Sequence, residues 1–416
     1  MQVFKFGGAS VKNAEGVKNL ARVLQEVGYE NTLVVVSAMG KMTNAMELVI
    51  KNYFDNKPEL QSSIQEVKTY HNDILLDLFD TKQHPVFKTV SSIFDDLDGF
   101  FLRNKSPDYN FVYDQVIGFG ELTSTTIISA YLNAIGIKNK WLDVREFIKT
   151  DNYYRRSNVD WEHTQKNIKA NFDTNVLNIT QGFLGSNANN FTTTLGREGS
   201  DYTAAIFAYC LNAESVTIWK DVPGVLNADP RYFENAQLLN TISYREAIEL
   251  AFYGASVIHP KTLQPLQQKE IPLFVKSFLN PKNAGTRVGK GAGIEPNVPC
   301  FIVKKNQVLI SLSSLDFSYI VEENISEIFK LFHLYKMKVD VIQNSAISFS
   351  VCFENTYDNL DRLLQHLKAK FKVTLHENVS LYTVRHYNEQ AIASVEKNKN
   401  LLLKQLTQET IQIVAQ

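Results

Sequence analysis

Gln2-Val3-Phe4-Lys5-Phe6-Gly7-Gly8-Ala9-Ser10 decides the architecture: an apolar run ending in a lysine passes straight into paired glycines and then a helical pattern. A strand followed by Gly-Gly is, taken alone, an ordinary tight turn. The same arrangement also suits an anion, because glycines let backbone amides approach closely and a helix N-terminus adds partial positive charge. Lys5 supplies a full one. The spacing fits neither the Walker pattern nor the Rossmann fingerprint, so a phosphate site here is not one of the common nucleotide loops.

Outward from this stretch, short β-branched runs alternate with longer helical patterns, which predicts an α/β sheet covered on both faces. The strands expected are Gln2–Phe6, Thr32–Val36, Val176–Thr180, Val216–Trp219 and Leu273–Val275. Residues 45 to about 135 read as a helical lobe, with Ser62–Asp80 and Leu122–Leu132 as examples. Gly285–Pro299 lacks apolar periodicity and marks a domain boundary. Beyond it, Val308–Ser314, Val339–Ile342, Ala346–Phe353 and Val373–Glu377 read as strands, with helices at Asn324–Lys336 and Leu360–Phe371. That order is the βαββαβ of a ferredoxin-like unit. A second copy is expected from strand Val379–Arg385, helix Asn398–Leu406 and strand Thr410–Val414, cut short at its end.

Composition narrows the function classes. With 416 residues, two or three domains are expected. Balanced charge, 43 Lys and Arg against 44 Asp and Glu, argues against a nucleic-acid binder held by phosphate neutralisation. No apolar stretch resembles the ~7–15-residue core of a signal peptide or the ~18 residues of a membrane span, so no membrane association is expected. Three scattered cysteines without CxxC spacing point to a reducing cytoplasm, and the histidines form no ligand pair, so no resident metal is expected.

Four further segments carry polar chemistry. Ser37-Ala38-Met39-Gly40-Lys41-Met42-Thr43-Asn44 follows a strand; Thr43 or Asn44 either caps the next helix or faces a ligand. In Gly118-Phe119-Gly120-Glu121, the carboxylate is either a first-turn acid or an acceptor for an ammonium group. Thr192-Thr193-Thr194-Leu195-Gly196-Arg197-Glu198-Gly199-Ser200-Asp201 precedes an apolar helix, Tyr202–Leu211. Capping explains Ser200 or Asp201 but not the whole cluster, in which Arg197 suits a carboxylate or phosphate and Asp201 suits a lysine. Trp219-Lys220-Asp221-Val222-Pro223-Gly224 leads through Leu226 to the Asp229-Pro230-Arg231 turn, a rim for a base and ribose or turn chemistry alone. His259, before a proline, reads as a packed or capping residue.

Together the segments resemble the aspartate kinases, a branch of the amino acid kinase family. KFGGAS, SA…TN, FGE, QGF with TTTLGREGSDYTAA, DVPGV…ADPR, GASVIHPKTL and AGTRVG occur in the family's order. The resemblance implies an amino acid kinase-type open α/β sandwich with a helical lobe over 1–290, a first ACT-like module over 300–378 and a partial second over 379–416. It implies ATP-dependent phosphorylation of the side chain of L-aspartate, with Mg²⁺ arriving on ATP, and a homodimer joined through the C-terminal modules. Lys5 and Asp201 would be catalytic, with Asp201 holding the lysine. Thr43, Glu121, Arg197 and Ser200 would bind aspartate. Lys5, Phe6, Gly7, Gly8, Lys220, Asp221, Leu226, Arg231, Ser256 and Val257 would bind ATP.

Three departures from the family pattern stand out. Glu198 replaces a usual glycine, Ser256 a common lysine and Lys220 a usual threonine, so Lys220 or Lys261 is expected to restore the charge missing at Ser256. Asp316-Phe317-Ser318-Tyr319-Ile320-Val321 lacks the glycine often present at an ACT effector turn, so feedback by lysine or threonine is not expected. Phe301–Lys304 is the segment that would help complete the second module.

Overall fold

The computed structural model describes residues 1–416 except Thr174, Ser256, Val257, Ala292 and Phe317. It has two compact units, Met1–Val225 with Leu238–Ile248 and Val257–Gly293, and Leu226–Gln237 with Glu249–Ser256 and Ile294–Gln416.

In chain order the first unit supplies β1 (Gln2–Phe6), α1 (Ala14–Val27), β2 (Thr32–Val36), α2 (Met42–Phe54), α3 (Leu60–Leu78), α4 (Pro85–Arg103), α5 (Tyr109–Ile117), α6 (Phe119–Ala134) and β3 (Asn139–Leu142). It continues with α7 (Val144–Phe147), α8 (Trp161–Asn171), β4 (Leu177–Gln181), β5 (Leu184–Ser186), β6 (Thr192–Thr194), α9 (Gly199–Leu211) and β7 (Ser215–Lys220). Then come β8 (Thr241–Ser243), α10 (Tyr244–Tyr253, of which Glu249 onward is counted with the second unit), α11 (Pro260–Gln268), β9 (Leu273–Ser277) and β10 (Thr286–Gly289). The main sheet runs β8-β10-β9-β7-β1-β2-β4-β3 and is parallel from β9 to β3. β2 and β4 are buried at every position, which explains why they read as continuous apolar runs without alternation.

Register decides where the loops go. Phe6 lies opposite both Val36 and Trp219, so β1, β2 and β7 end at one edge and deliver the loops after Phe6, Val36 and Lys220 there. Helices α2 to α6 form the lobe expected from the sequence. Met46, Ile50, Val67, Leu97, Val116 and Ile127 join one core with Phe4, Val34 and Trp219 of the sheet. α9 is buried nearly all round, the pattern of a helix enclosed on every side.

The second unit opens with β11 (Ile294–Glu295), followed by β12 (Cys300–Ser314), α12 (Glu322–Leu334), β13 (Lys338–Asn344), β14 (Ser348–Glu354) and α13 (Leu360–Lys368). β15 (Phe371–Arg385), α14 (Glu389–Glu396), β16 (Leu401–Leu406) and β17 (Thr410–Ala415) complete it. Its sheet runs β13-β14-β12-β15-β17-β16. The two ferredoxin-like modules share its central strands: Leu309–Ser314 pairs with Phe371–His376 in one, and Cys300–Lys304 with Leu381–Arg385 in the other. Asn306 and Asn378, both at positive φ, lie where each long strand passes from one module to the next. Asparagine tolerates that conformation better than most residues.

Three expected boundaries change. Val379–Arg385 is the second half of one continuous strand, β15, and Phe371 starts that strand because α13 stops at Lys368. Leu401–Leu406 is a strand and not part of a helix over 398–406. Thr407 N–H donates to Thr410 O at 2.8 Å and closes a hairpin onto β17, so pairing overrides the helix-favouring leucines. The module's helix is instead Glu389–Glu396, capped by the Asn388 side chain on Ala391 N–H. Among the described residues this second module has one helix where the first has two. Beside it the 226–237 segment packs on the sheet: Phe301 N–H donates to Asn227 O at 2.7 Å, and the rings of Phe233 and Phe301 lie 5.0 Å apart.

Candidate active site

The site is built where β1, β2 and α9 meet. Lys5 is the last inward polar residue of β1, and its Nζ lies 2.6 Å from Asp201 Oδ1, with side chains 11% and 4% exposed. This is a buried ion pair, and it places one cation above Gly7: a Cβ there would lie 3.3 Å from Lys5 Nζ. Gly8 opens a one-turn 3₁₀ helix, Gly8–Val11.

The loop after β2 presses against the Gly7–Gly8 loop. Gly40 N–H donates to Gly8 O at 3.0 Å and Ser37 N–H to Phe6 O at 3.1 Å. A methyl at Gly8 would sit 2.7 Å from the carbonyl oxygens of both Ala38 and Gly40, so only glycine permits this approach. Gly8→Ala is expected to cost about 1–3 kcal/mol of unfolding free energy, because two backbones must separate. Chemical denaturation measures it, and an unchanged midpoint would contradict the packing.

Glu121 stands in the first turn of α6, 2% exposed, and Oε2 has no hydrogen-bond partner. Burial pushes its carboxyl up to about 8, only partly opposed by backbone N–H groups, that of Ala38 among them. A buried acid with an open oxygen beside backbone donors is prepared for an incoming cation. Ser124 Oγ donates to Ser37 O at 2.8 Å and ties the same helix to the β2 loop.

α9 begins earlier than its apolar run suggests, at Gly199, so Ser200 and Asp201 lie inside the helix and do not cap it. The N-cap is Glu198 in left-handed conformation, with φ of 53°, where glycine would be unstrained. Ser200 is buried against Gly182, and Phe183 N–H donates to Thr203 Oγ1 at 3.0 Å. Upstream, Asp114 accepts from Thr194 N–H at 2.9 Å, Thr194 Oγ1 at 2.8 Å and Arg155 N–H at 3.0 Å. It thereby fixes β6 just before Arg197. Burial raises its carboxyl to about 6 despite these donors.

The remaining sequence candidates fall as follows. Thr43 is half-buried in the first turn of α2 and is not its cap, which is Lys41. Arg197 is exposed. Phe6 gives its side chain to the core, stacked on Trp219 at 6.0 Å, and its carbonyl to Ser37. Lys220 ends β7 and Asp221 follows, exposed. Leu226 and Arg231 belong to the second unit, where Arg231 Nη2 lies 2.6 Å from Asp229. Ser256 and Val257 lie outside the described residues. His259 caps α11, accepting from Lys261 N–H at 3.2 Å, and desolvation lowers its pKa. Sequence reading missed Asp114, Gly182 and Tyr70, whose roles depend on contacts between distant segments. Among the described residues no helix is long and apolar enough to cross a membrane.

Comparison with known proteins identifies the family. The profile of the amino acid kinase family matches residues 1–277. Lysine-sensitive aspartokinase 3 of Escherichia coli (strain K12) is 31% identical over 399 residues, covering 91% of this chain and 85% of that protein. The chloroplastic bifunctional aspartokinase/homoserine dehydrogenase of Daucus carota is 29% identical over 389 residues, 90% of this chain, which spans only 42% of that longer protein. The crystal structure of E. coli aspartokinase III in complex with aspartate and ADP superposes with a TM-score of 0.81 at 27% identity, covering 100% of this chain and 96% of that one. The ordered loops, their shared sheet edge and these similarities lead to one assignment: the chain belongs to the amino acid kinase family, in its aspartokinase branch.

Proposed function

We propose that the chain transfers the γ-phosphoryl group of ATP to the side-chain carboxylate of L-aspartate, giving 4-phospho-L-aspartate and ADP, the entry to lysine, threonine and methionine synthesis. The observation that carries this reading is the buried Lys5–Asp201 pair at the loop-bearing sheet edge, with Glu121 buried and open to an ammonium group across the β2 loop. An ionised carboxylate is already a nucleophile at neutral pH, so no general base is required. The protein's task is alignment and charge neutralisation of an in-line transfer.

In this reading Asp201 holds Lys5, and Lys5 with the amides of Gly7 and Gly8 meets the transferred group. Glu121 takes the ammonium group of aspartate, Arg197 a carboxylate, and Thr43 and Ser200 complete its pocket. Lys220, Asp221, Leu226 and Arg231 serve the nucleotide, as do Ser256 and Val257 of the GASVIHPKTL motif. Mg²⁺ would arrive as a passenger on ATP, because it needs only one or two carboxylates beside phosphate oxygens. Glu198, whose buried Oε2 lacks a partner, and Asp221 are the carboxylates that would share it. When bound, the ion neutralises phosphate charge.

An ATP-dependent hydroxamate assay across aspartate, glutamate and N-acetylglutamate tests the reading. Turnover with aspartate supports it, preference for either alternative redirects it to another acidic-substrate kinase, and silence with all three favours an amino-acid sensor. Lys220→Ala and Lys261→Ala separate the two cations offered for the charge missing at Ser256. The one that restores it is expected to raise the KM for ATP roughly 10-fold, about the loss of one charged hydrogen bond. Near-normal KM values in both variants would remove both from that role.

A homodimer through the second unit is supported by β13, an outermost strand of its sheet, with Ile342 38% and Ile347 39% exposed near that edge. Light scattering gives the mass that decides it. The buried thiols Cys210, Cys300 and Cys352 fit a reducing cytoplasm. Feedback by lysine or threonine is not expected, and inhibition of the purified protein at millimolar concentration would overturn that expectation.

A further inference from the structure

The two loops that would hold donor and acceptor are tied from outside by a helix that contributes nothing else to the site. Tyr70, on α3 of the helical lobe, donates its hydroxyl to the carbonyl of Lys12, just beyond the 3₁₀ turn of the Gly7–Gly8 loop. The same hydroxyl covers Gly40, in the loop after β2. Gly40 has φ of 55°, and a Cβ there would lie 2.6 Å from Tyr70 Oη and 3.6 Å from Lys12 Cβ. Gly40 N–H in turn donates to Gly8 O at 3.0 Å. One phenol therefore touches both loops where they meet.

The base of the clamp is rigid. His71, next along α3, is fully buried with Nδ1 2.8 Å from Val67 O. Its ring packs edge-on against Tyr70 at 5.3 Å and against Phe94 of α4 at 5.8 Å. Burial raises the Tyr70 phenol above its ordinary value and lowers His71 to about 4, so at neutral pH the phenol is a donor and the imidazole uncharged. On the opposite side the β2 loop is held by α6, through Ser124 and Glu121. Tyr70 bonds the Lys12 side and packs over Gly40, so losing its hydroxyl frees the first loop and uncovers the second at the same point.

We propose that Tyr70 is a positioning residue that sets the separation of the phosphate loop from the loop that carries Ala38 and leads into Thr43, and so aligns phosphoryl donor with acceptor. The role rests on the aspartate kinase reading above, and it concerns alignment more than affinity. A displacement near 1 Å costs up to about 10²-fold in rate while leaving each substrate's own contacts in place.

Tyr70→Phe is therefore expected to lower kcat about 10-fold with both KM values within roughly 3-fold of wild type. Gly40→Ala presses a methyl on the phenol and is expected to lower kcat also. The double variant, in which the hydroxyl is gone, is expected to lose less than the product of the two single losses, a coupling that independent sites do not show. Unchanged kcat in Tyr70→Phe, or simple multiplication in the double variant, overturns the proposal. If Tyr70→Phe does not fold, Gly40→Ala carries the test, and wild-type kcat there overturns it. Amide exchange gives a readout independent of turnover: Gly40 N–H must exchange faster in Tyr70→Phe, and unchanged exchange overturns the clamp even if the substrate assignment fails. A wild-type protein silent with aspartate would instead overturn the reading on which the alignment role rests.

Discussion

Lys5→Met is expected to lower kcat by about 10²–10³-fold, the cost of removing one preorganised electrostatic partner of a developing charge. Stability should fall with it. Lys5 and Asp201 are buried to 11% and 4% side-chain exposure, so the variant leaves a carboxylate in the interior with its cation gone. Breaking a buried pair from one side costs about 3–5 kcal/mol, most of it from the uncompensated charge that remains. Lys5→Met with Asp201→Asn removes that charge, and should regain most of the stability while turnover stays lost. Calorimetry and steady-state kinetics on the single and double variants separate the two effects. A single variant with wild-type melting would show that the pair is not the buried anchor described here, and a catalytically competent double variant would take the phosphate role from Lys5.

Glu121→Gln is expected to raise the KM for aspartate about 10–100-fold, the range for loss of a hydrogen bond between charged groups. The pH dependence is more specific. In the free protein burial holds the Glu121 carboxyl near 8, so it is largely protonated at pH 6 and ionised above pH 8. An ammonium group binds the ionised form better, so the KM for aspartate should fall as pH rises from about 6 to 8 and then level off, with binding accompanied by proton release. In Glu121→Gln this segment of the profile should be flat. A wild-type KM independent of pH over that window would remove Glu121 from the ammonium subsite.

Stability follows the same group with a definite sign. The folded-state pKa lies above the ordinary 4.5, so the folded protein holds this proton more tightly than the unfolded chain. The resulting stabilisation is fully present below pH 4.5 and is lost as pH rises through 8. Glu121→Gln should therefore gain stability relative to wild type on going from acid to pH 8, an effect opposite to that of the Lys5 substitution. Parallel denaturation curves at several pH values read it directly.

Much of the site was legible residue by residue, because its parts are local devices. Paired glycines after a strand, a lysine at the strand end, a carboxylate in a first helical turn and a hydroxyl-rich loop before an apolar helix each express backbone conformation or helix-end electrostatics within a few positions. Capping was read less well. Ser200 and Asp201 were open to a capping reading, yet α9 starts at Gly199 and its cap is Glu198. The strained Glu198 conformation has no local sequence warning, since a non-glycine residue at positive φ is held there by surrounding structure. Tyr70 looked like one more lobe residue. Its importance lies in a contact to Lys12 and Gly40 that no helical period encodes.

The C-terminal modules show the same division. Alternation and amphipathic spacing were enough for the first βαββαβ module. They failed at Leu401–Leu406, where a helix-favouring run is captured by its antiparallel partner Thr410–Ala415. They also could not show that β12 and β15 run unbroken through both modules, which depends on pairing between Cys300–Lys304 and Leu381–Arg385.

By itself, then, the sequence determined the α/β class, the helical lobe, the ferredoxin-like order of the first C-terminal module, and the residue types proposed to meet phosphate and an amino acid. Only the tertiary structure decided that Lys5 is paired with Asp201, that Glu121 is buried enough to hold its proton near neutral pH, that Tyr70 joins two loops, and that two strands serve two modules. The physical reason is range. Propensity, periodicity and turn chemistry act over a few residues and survive in any context that permits them, whereas desolvation, ion pairing and strand partnership are properties of atoms brought together from distant parts of the chain, and they exist only once the core has closed around them.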